Sequence, residues 1–215
     1  EAERLAFADR DRYVADPDFV PLPGGSVAAL LDPDYLAARS RLIQDERSLG
    51  MAPAGTPLAA APQYAVGPEI EEHGTTHLTV VDPEGNVVAL TASIESAFGS
   101  FRMVGGFFLN NELTDFSFTS MDAAGLPVAN RVEPGKRPRS SMSPLLVFDK
   151  QSKQLEMSLG SPGGSAIINY VGKALLGTQD WGLNLQQAIN LPNFGSRNGP
   201  TELEQGRTPE AVIQG

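Results

Sequence analysis

Residues 71–88 read EEHGTTHLTVVDPEGNVV. A charged approach ends at Gly74 and passes without a linker into Thr75–Val81, a run of the β-branched residues that suit a pleated, half-buried surface. PEGN at 83–86 is a hairpin turn signal, and NVVALTASI follows it as a second strand. The same grammar recurs downstream, where PLLVFDK and LEMSLGS flank QSKQ at 151–154. Beyond Gly163 and Gly164, apolar residues at 166, 167, 168, 171, 174 and 175 fall at helical spacing, and LNLQQAINLP gives a second short helix. Antiparallel strands followed by two helices predict a layered α+β fold.

The rest of the chain differs in texture. EAERLAFADRDRYVAD at 1–16 places Leu5, Ala8 and Tyr13 among charges, PDFVPLPGG interrupts it, and DPDYLAARSRLIQ restarts a helix with Asp32 as N-cap. SLGMAPAGTPLAAAPQYAVG at 48–67 is rich in Gly, Ala and Pro with almost no charge, the composition of a flexible connector. Residues 1–74 and 75–215 therefore read as two compositional parts, with no internal repeat.

Composition sets bounds on function. With 215 residues, 41% of them hydrophobic and 20% charged, the chain is long enough to bury one substantial core. A formal charge of -10 gives no basic surface for a phosphate backbone, and GKRPRSS is the one dense basic stretch, so no nucleic-acid partner is expected. No cysteine is present to form a disulfide, a thiolate nucleophile or a thiolate zinc site. Two histidines, His73 and His77, supply neither a His-rich metal centre nor an obvious Ser-His-Asp triad. No apolar run approaches the roughly 20 residues that span a bilayer, so no membrane partner is expected. The chain opens at Glu1 without an initiator Met and stops at Gly215 within a helical pattern, as expected of a piece of a longer protein.

Thr75 has two readings. On residue type alone it is a β-branched residue opening a strand. A Thr becomes a nucleophile without any histidine if a chain break frees its own α-amine to act as base. That amine titrates ordinarily at about 7.7–8.0, near working pH. The preceding Gly74 permits the tight backbone that attack on its carbonyl requires.

Four segments in order, TTHLTVVDPEGNVVALTASIESAFGS (75–100), FFLNNELTDFSF (107–118), GKRPRSSMSP (135–144) and GSPGGS (160–165), resemble the γ-glutamyltranspeptidase family of N-terminal nucleophile hydrolases. The likeness runs over about residues 75–195, and LAFADRDRYVADPDFV (5–20) resembles the end of that family's large subunit. The resemblance implies a four-layer αββα sandwich, present here as a partial chain. It implies self-cleavage between Gly74 and Thr75, with 1–74 the tail of a large subunit and 75–215 a small-subunit catalytic region truncated at its C-terminus.

Carried over position by position, the resemblance makes Thr75 the nucleophile that forms an acyl-enzyme with a γ-glutamyl donor. Ser93 stands where the family usually has a Thr whose hydroxyl contacts the nucleophile's amine. Gly163 and Gly164 match the pair whose N–H groups form the oxyanion hole, a task glycines at a helix start suit. Ser140 and Ser141 match the serines that hold the donor's α-carboxylate, and Glu112 and Asp115 the groups that bind its α-ammonium. No cofactor and no metal are implied.

Two departures bear on the substrate. Glu95 replaces the Asn usual two residues after the second hydroxyl, which puts a third carboxylate near the α-ammonium site. The SFRMVGGFF loop is shorter than the usual Gly-rich version. Glutaryl-cephalosporin acylases resemble the same fold and self-cleavage yet take a side chain lacking the amine, so they are one alternative. A catalytically incompetent fragment lacking the large-subunit face is another, since the resemblance implies that the arginine pairing with the donor carboxylate would lie upstream of Glu1. The implied partners are a small γ-glutamyl donor, an amine acceptor and the remainder of the large subunit. The implied setting is periplasmic or secreted.

Overall fold

A computed structural model describes residues 1–57, 63–67 and 74–214. These form two compact units: Glu1–Ile70 with Leu113–Arg139 and Ser196–Thr201, and Glu71–Glu112 with Ser140–Gly195 and Glu202–Gly215. Among the described residues the strands form four two-stranded antiparallel sheets, and with the helices they make a mixed α and β architecture.

In the first unit, helix α1 (Ala2–Tyr13) buries Leu5, Phe7, Ala8 and Tyr13, the stripe its periodicity predicts. Leu5 and Ala8 pack with Ala52, and Ile43, Leu49 and Ala54 close over them. Helix α2 (Pro33–Ser40) starts as expected at Asp32, whose carboxylate accepts from the N–H groups of Asp34 and Tyr35. Residues from the Gly/Ala/Pro stretch have specific anchors. The Tyr13 hydroxyl donates to the Gly55 carbonyl at 2.7 Å, the Gly55 N–H donates to Asp9 at 2.7 Å, and Ala65 bridges to Val128. Residues 58–62 and 68–73, which include His73, lie outside the described residues.

The basic stretch is a clamp within this unit. Lys136 is buried, and its ammonium donates to the carbonyls of Ala129 and Arg131 and to Glu133. Arg137 grips Asp16 with Nε at 3.0 Å and Nη2 at 2.7 Å, while its backbone N–H donates at 2.8 Å. Arg139 pairs with Asp11 at 3.1 Å. The guanidinium and backbone N–H of Arg137 hold the Asp16 carboxyl well below the usual carboxylate range.

The second unit carries the strands predicted from the turn signals. Strands β1 (Thr76–Val81) and β2 (Val87–Ala92) pair in register from Thr76–Ala92 to Val81–Val87. Asp82 closes their turn by accepting from the N–H of Asn86 at 2.7 Å. Short strands β3 (Met103–Val104) and β4 (Phe107–Phe108) follow. Then β5 (Leu145–Phe148) pairs with β6 (Leu155–Leu159).

Period-two alternation sorts their faces. His77 and Thr79 point from β1 toward β6, where the Thr79 hydroxyl lies 3.0 Å from that of Ser158. Met157 occupies the opposite face of β6, and the Thr178 hydroxyl of helix α3 (Ile167–Gln179) reaches its sulfur at 3.8 Å. The β1–β2 hairpin, the β5–β6 hairpin and α3 thus contact one another in that order. Helix α4 (Leu185–Asn190), started by an Asn184–Gln187 capping box, lies against α3 so closely that a Cβ at Gly177 would sit 2.8 Å from the Ala188 methyl. Lys173 satisfies the end of α4 by donating to the Leu191 carbonyl and Asn193 at 2.8 Å, and burial pushes its ammonium pKa down. Strands β7 (Phe194–Gly195) and β8 (Glu202–Leu203) and helix α5 (Glu210–Gln214) complete the described chain.

Candidate active site

The turn leaving β2 folds back onto the peptide entering β1. The Ser93 hydroxyl donates to the Gly74 carbonyl oxygen at 2.5 Å and accepts from the Glu95 N–H at 2.8 Å. Both hydrogen-bonding roles of one hydroxyl are therefore filled, which fixes its direction. Gly74 has φ of 72°, and a Cβ there would lie 2.4 Å from the Glu95 carbonyl oxygen. A side chain is thus excluded both by backbone conformation and by space.

Glu95 itself sits in the left-handed region at φ 68°. Such a conformation costs a non-glycine residue on the order of 1 kcal/mol and persists where surroundings over-determine it. The surroundings here are hydrogen bonds: the buried Glu95 carboxylate accepts from the Ser96 hydroxyl at 2.8 Å and from the Asn111 amide. Asn111 in turn accepts from the Ser96 N–H at 3.0 Å and donates its own N–H to the Ile94 carbonyl. The result is a cleft of about 470 Å³ lined by Gly74, Thr75, Thr76, Ala92, Ser93, Ile94, Ser96 and Ala97.

Of the residues singled out from sequence, Thr75, Ser93, Glu95 and Gly74 are brought together here. Glu112 follows Asn111 directly, with its N–H donating to Asn110 at 3.0 Å. Asp115 belongs to the first unit, where it is buried and its carbonyl accepts from the Asn130 amide at 2.7 Å. Ser140 and Ser141 are outside the lining of the Thr75 cleft; the Ser140 hydroxyl accepts from the Met142 N–H at 3.2 Å, and Ser141 is buried. Gly163 caps and Gly164 opens the 3-10 turn Gly164–Ala166 at the entry to α3, and both have positive φ.

His77 connects β1 to the glycine loop. Its Nδ1 lies 2.8 Å from the Thr91 hydroxyl, and a Cβ at Gly160 would meet its ring at 2.1 Å. The loop Gly160–Gly164 therefore begins against a side chain two residues past Thr75. Sequence reasoning gave His77 no role, although the period-two pattern already put it on one face with Thr79. Asn111, which orients Glu95, was likewise missed, and no local pattern marks it.

The family model described as Gamma-glutamyltranspeptidase matches residues 1–215. The glutathione hydrolase proenzymes of Bacillus subtilis (strain 168) and Escherichia coli (strain K12) are 36% and 38% identical over 99% of this chain. The chain spans 36% of the length of each. The Acylase ACY 1 proenzyme of a Pseudomonas species (strain SE83) is 33% identical over 100% of the chain and 34% of its own length. A crystal structure of a threonine-to-alanine mutant of Helicobacter pylori γ-glutamyltranspeptidase superposes with TM-score 0.57 and 35% identity, covering 65% of this chain and 78% of that one. By the match of the family model along its whole length, with the four ordered motifs, this chain belongs to the γ-glutamyltranspeptidase family.

Proposed function

We propose that the protein containing this chain cleaves γ-glutamyl amide bonds through an acyl-enzyme on Thr75 and transfers the acyl group to water or to an amino-acid or peptide amine. The observation that carries this is the Ser93 hydroxyl at 2.5 Å from the carbonyl oxygen of Gly74, the residue preceding the nucleophile. A donor so placed stabilises the oxyanion that forms when the Thr75 hydroxyl attacks that carbonyl. The Gly74–Thr75 amide becomes an ester on the Thr75 oxygen, and its nitrogen leaves as the free α-amine. Water hydrolyses the ester, releasing Gly74 as a carboxylate and restoring the hydroxyl. The liberated amine then serves as the base in turnover: Thr75 attacks the donor's γ-carbonyl, the donor amine departs with a proton, and water or an acceptor amine resolves the ester.

In this reading residues 1–74 are the tail of the large subunit and 75–215 the catalytic part of the small one. Gly163 and Gly164 provide oxyanion donors during turnover. Ser140 and Ser141 hold the donor carboxylate, and Glu112, Asp115 and Glu95 its ammonium. The two hairpins and α3–α4 are three layers of the αββα sandwich. Leu78, Val80, Val88 and Leu90 present an exposed apolar face on β1–β2, which suits a helical fourth layer from the remainder of the large subunit. The family resemblance also supports a periplasmic or secreted setting. Similarity to the acylase favours one second reading, a glutaryl-type acylase.

The test is the intact precursor. It converts without protease into two chains, the smaller beginning Thr75-Thr76-His77, at a rate independent of protein concentration. Thr75→Ala stays uncut, Thr75→Ser cuts, and Thr76→Ala still cuts after Gly74, as read by N-terminal sequencing and intact mass. Cleavage elsewhere, or in Thr75→Ala, overturns the proposal. Release of p-nitroaniline from γ-glutamyl and glutaryl anilides separates transpeptidase from acylase.

A further inference from the structure

We propose that Tyr170 is a positioning residue for the oxyanion hole, its ring edge setting the direction of the Gly163 N–H; this rests on the role proposed above for Gly163. Tyr170 lies in the first turn of α3, whose Ile167, Val171 and Ala174 are buried, so its backbone is fixed. A Cβ built on Gly163 falls 2.5 Å from Cε2 and 2.9 Å from Cδ2 of Tyr170. The ring therefore lies directly against the Gly163 α-carbon, on the side where any other residue carries its side chain.

Gly163 has φ 136° and ψ 20°, a conformation that only glycine adopts readily, and the small backbone can turn away from it in several directions. Its carbonyl is held by the Ala166 N–H at 3.1 Å. The plane that carries its N–H ends in the Pro162 carbonyl, which accepts from the Ser161 hydroxyl at 2.6 Å, and the aromatic edge is the further restraint beside that plane. The ring also borders two clefts of about 180 and 270 Å³: Asn169 lines the first, Pro162 and Lys173 the second, and Tyr170 and Asn193 both. A side chain that borders two clefts has room to be lost without collapse of the helix beneath. Removing it frees the Gly163 peptide to rotate, which misaims a donor needed only in the transition state.

The contact is made by ring carbons, so the hydroxyl is dispensable. Autocleavage draws on Ser93 at the Gly74 carbonyl and is expected to be indifferent to Tyr170. In the intact, self-cleaved enzyme, Tyr170→Ala is expected to lower kcat for a γ-glutamyl anilide by about tenfold or more, with KM and the rate of self-cleavage changed by less than about twofold. Tyr170→Phe is expected to keep wild-type kcat. If Tyr170→Ala fails to fold, Tyr170→Leu fills the volume without a planar edge and is expected to give the same fall in kcat. Gly163→Ala separates the two claims. A folded, cleaved Gly163→Ala enzyme with wild-type kcat overturns the oxyanion role of Gly163. A strong loss in Gly163→Ala with wild-type kcat in Tyr170→Ala, or in Tyr170→Leu where that stands in, overturns the role of Tyr170 alone. Equal losses in Tyr170→Ala and Tyr170→Phe overturn the ring-edge contact as the cause.

Discussion

The hydroxyl of Ser93 and the carbonyl oxygen of Gly74 are 2.5 Å apart, nineteen positions distant in the chain and joined through the β1–β2 hairpin. The turn that leaves β2 is therefore held against the peptide that precedes β1.

Ser93→Ala removes a side-chain donor from the Gly74 carbonyl oxygen. Conversion of precursor to two chains is expected to slow by roughly 10²–10³-fold, the usual cost of losing an oxyanion donor. Ser93→Thr keeps the hydroxyl and is expected to convert at a rate near wild type. A time course of chain cleavage on denaturing gels reads both, and an undiminished rate in Ser93→Ala removes the donor assignment.

Gly160→Ala places a methyl group 2.1 Å from the His77 ring, which must then leave Thr91. Overpacking of this kind costs about 1–3 kcal/mol. His77→Ala opens the space, so the double variant is expected to lose less stability than the two single losses added together. Urea unfolding midpoints of the four proteins measure the coupling; simple additivity places the His77 ring elsewhere.

Asp115→Asn tests amine recognition. If the carboxylate binds the donor's α-ammonium, γ-glutamyl donors lose about tenfold or more in kcat/KM while glutaryl donors, which have no amine, are almost unaffected. Equal losses on the two donors assign Asp115 a structural role, in keeping with its burial.

Asp16→Asn breaks a carboxylate whose folded pKa is depressed, first by the Arg137 side chain and then by the Arg137 N–H. A depressed acid contributes stability that is fully present above its unfolded pKa of about 3.9 and is lost as pH falls toward the lower folded value. The gap in thermal midpoint between wild type and Asp16→Asn is thus expected to be constant from about pH 8 to pH 5 and to narrow below about pH 4. Asp18→Asn, at a carboxylate 75% exposed, is expected to change little at any pH.

Local chemistry explains which elements were legible. Asp82, Gly85 and Asn86 carry their turn within five residues, and Asp32 caps α2 within three, so short windows suffice. Gly74 and Thr75 were legible through a motif. Contacts between distant segments were not. Lys136, Arg137 and Arg139 look like a basic surface in a linear reading, yet their partners are Glu133, Asp16 and Asp11. Nor does any pattern announce that Tyr170 lies on Gly163, because the intervening 3-10 turn breaks the helical period.

The grip of Arg137 on Asp16 has a consequence for the life history of the protein. In the uncut chain the two groups are tethered, and the unit they hold can refold as a single molecule. Once the bond before Thr75 is hydrolysed, they belong to separate polypeptides, and their encounter becomes bimolecular. Reassembly then follows mass action, and dilution after complete unfolding leaves each piece without its counterpart. If the chain is cut before Thr75 as proposed, reassembly of the mature form depends on concentration where refolding of the precursor does not.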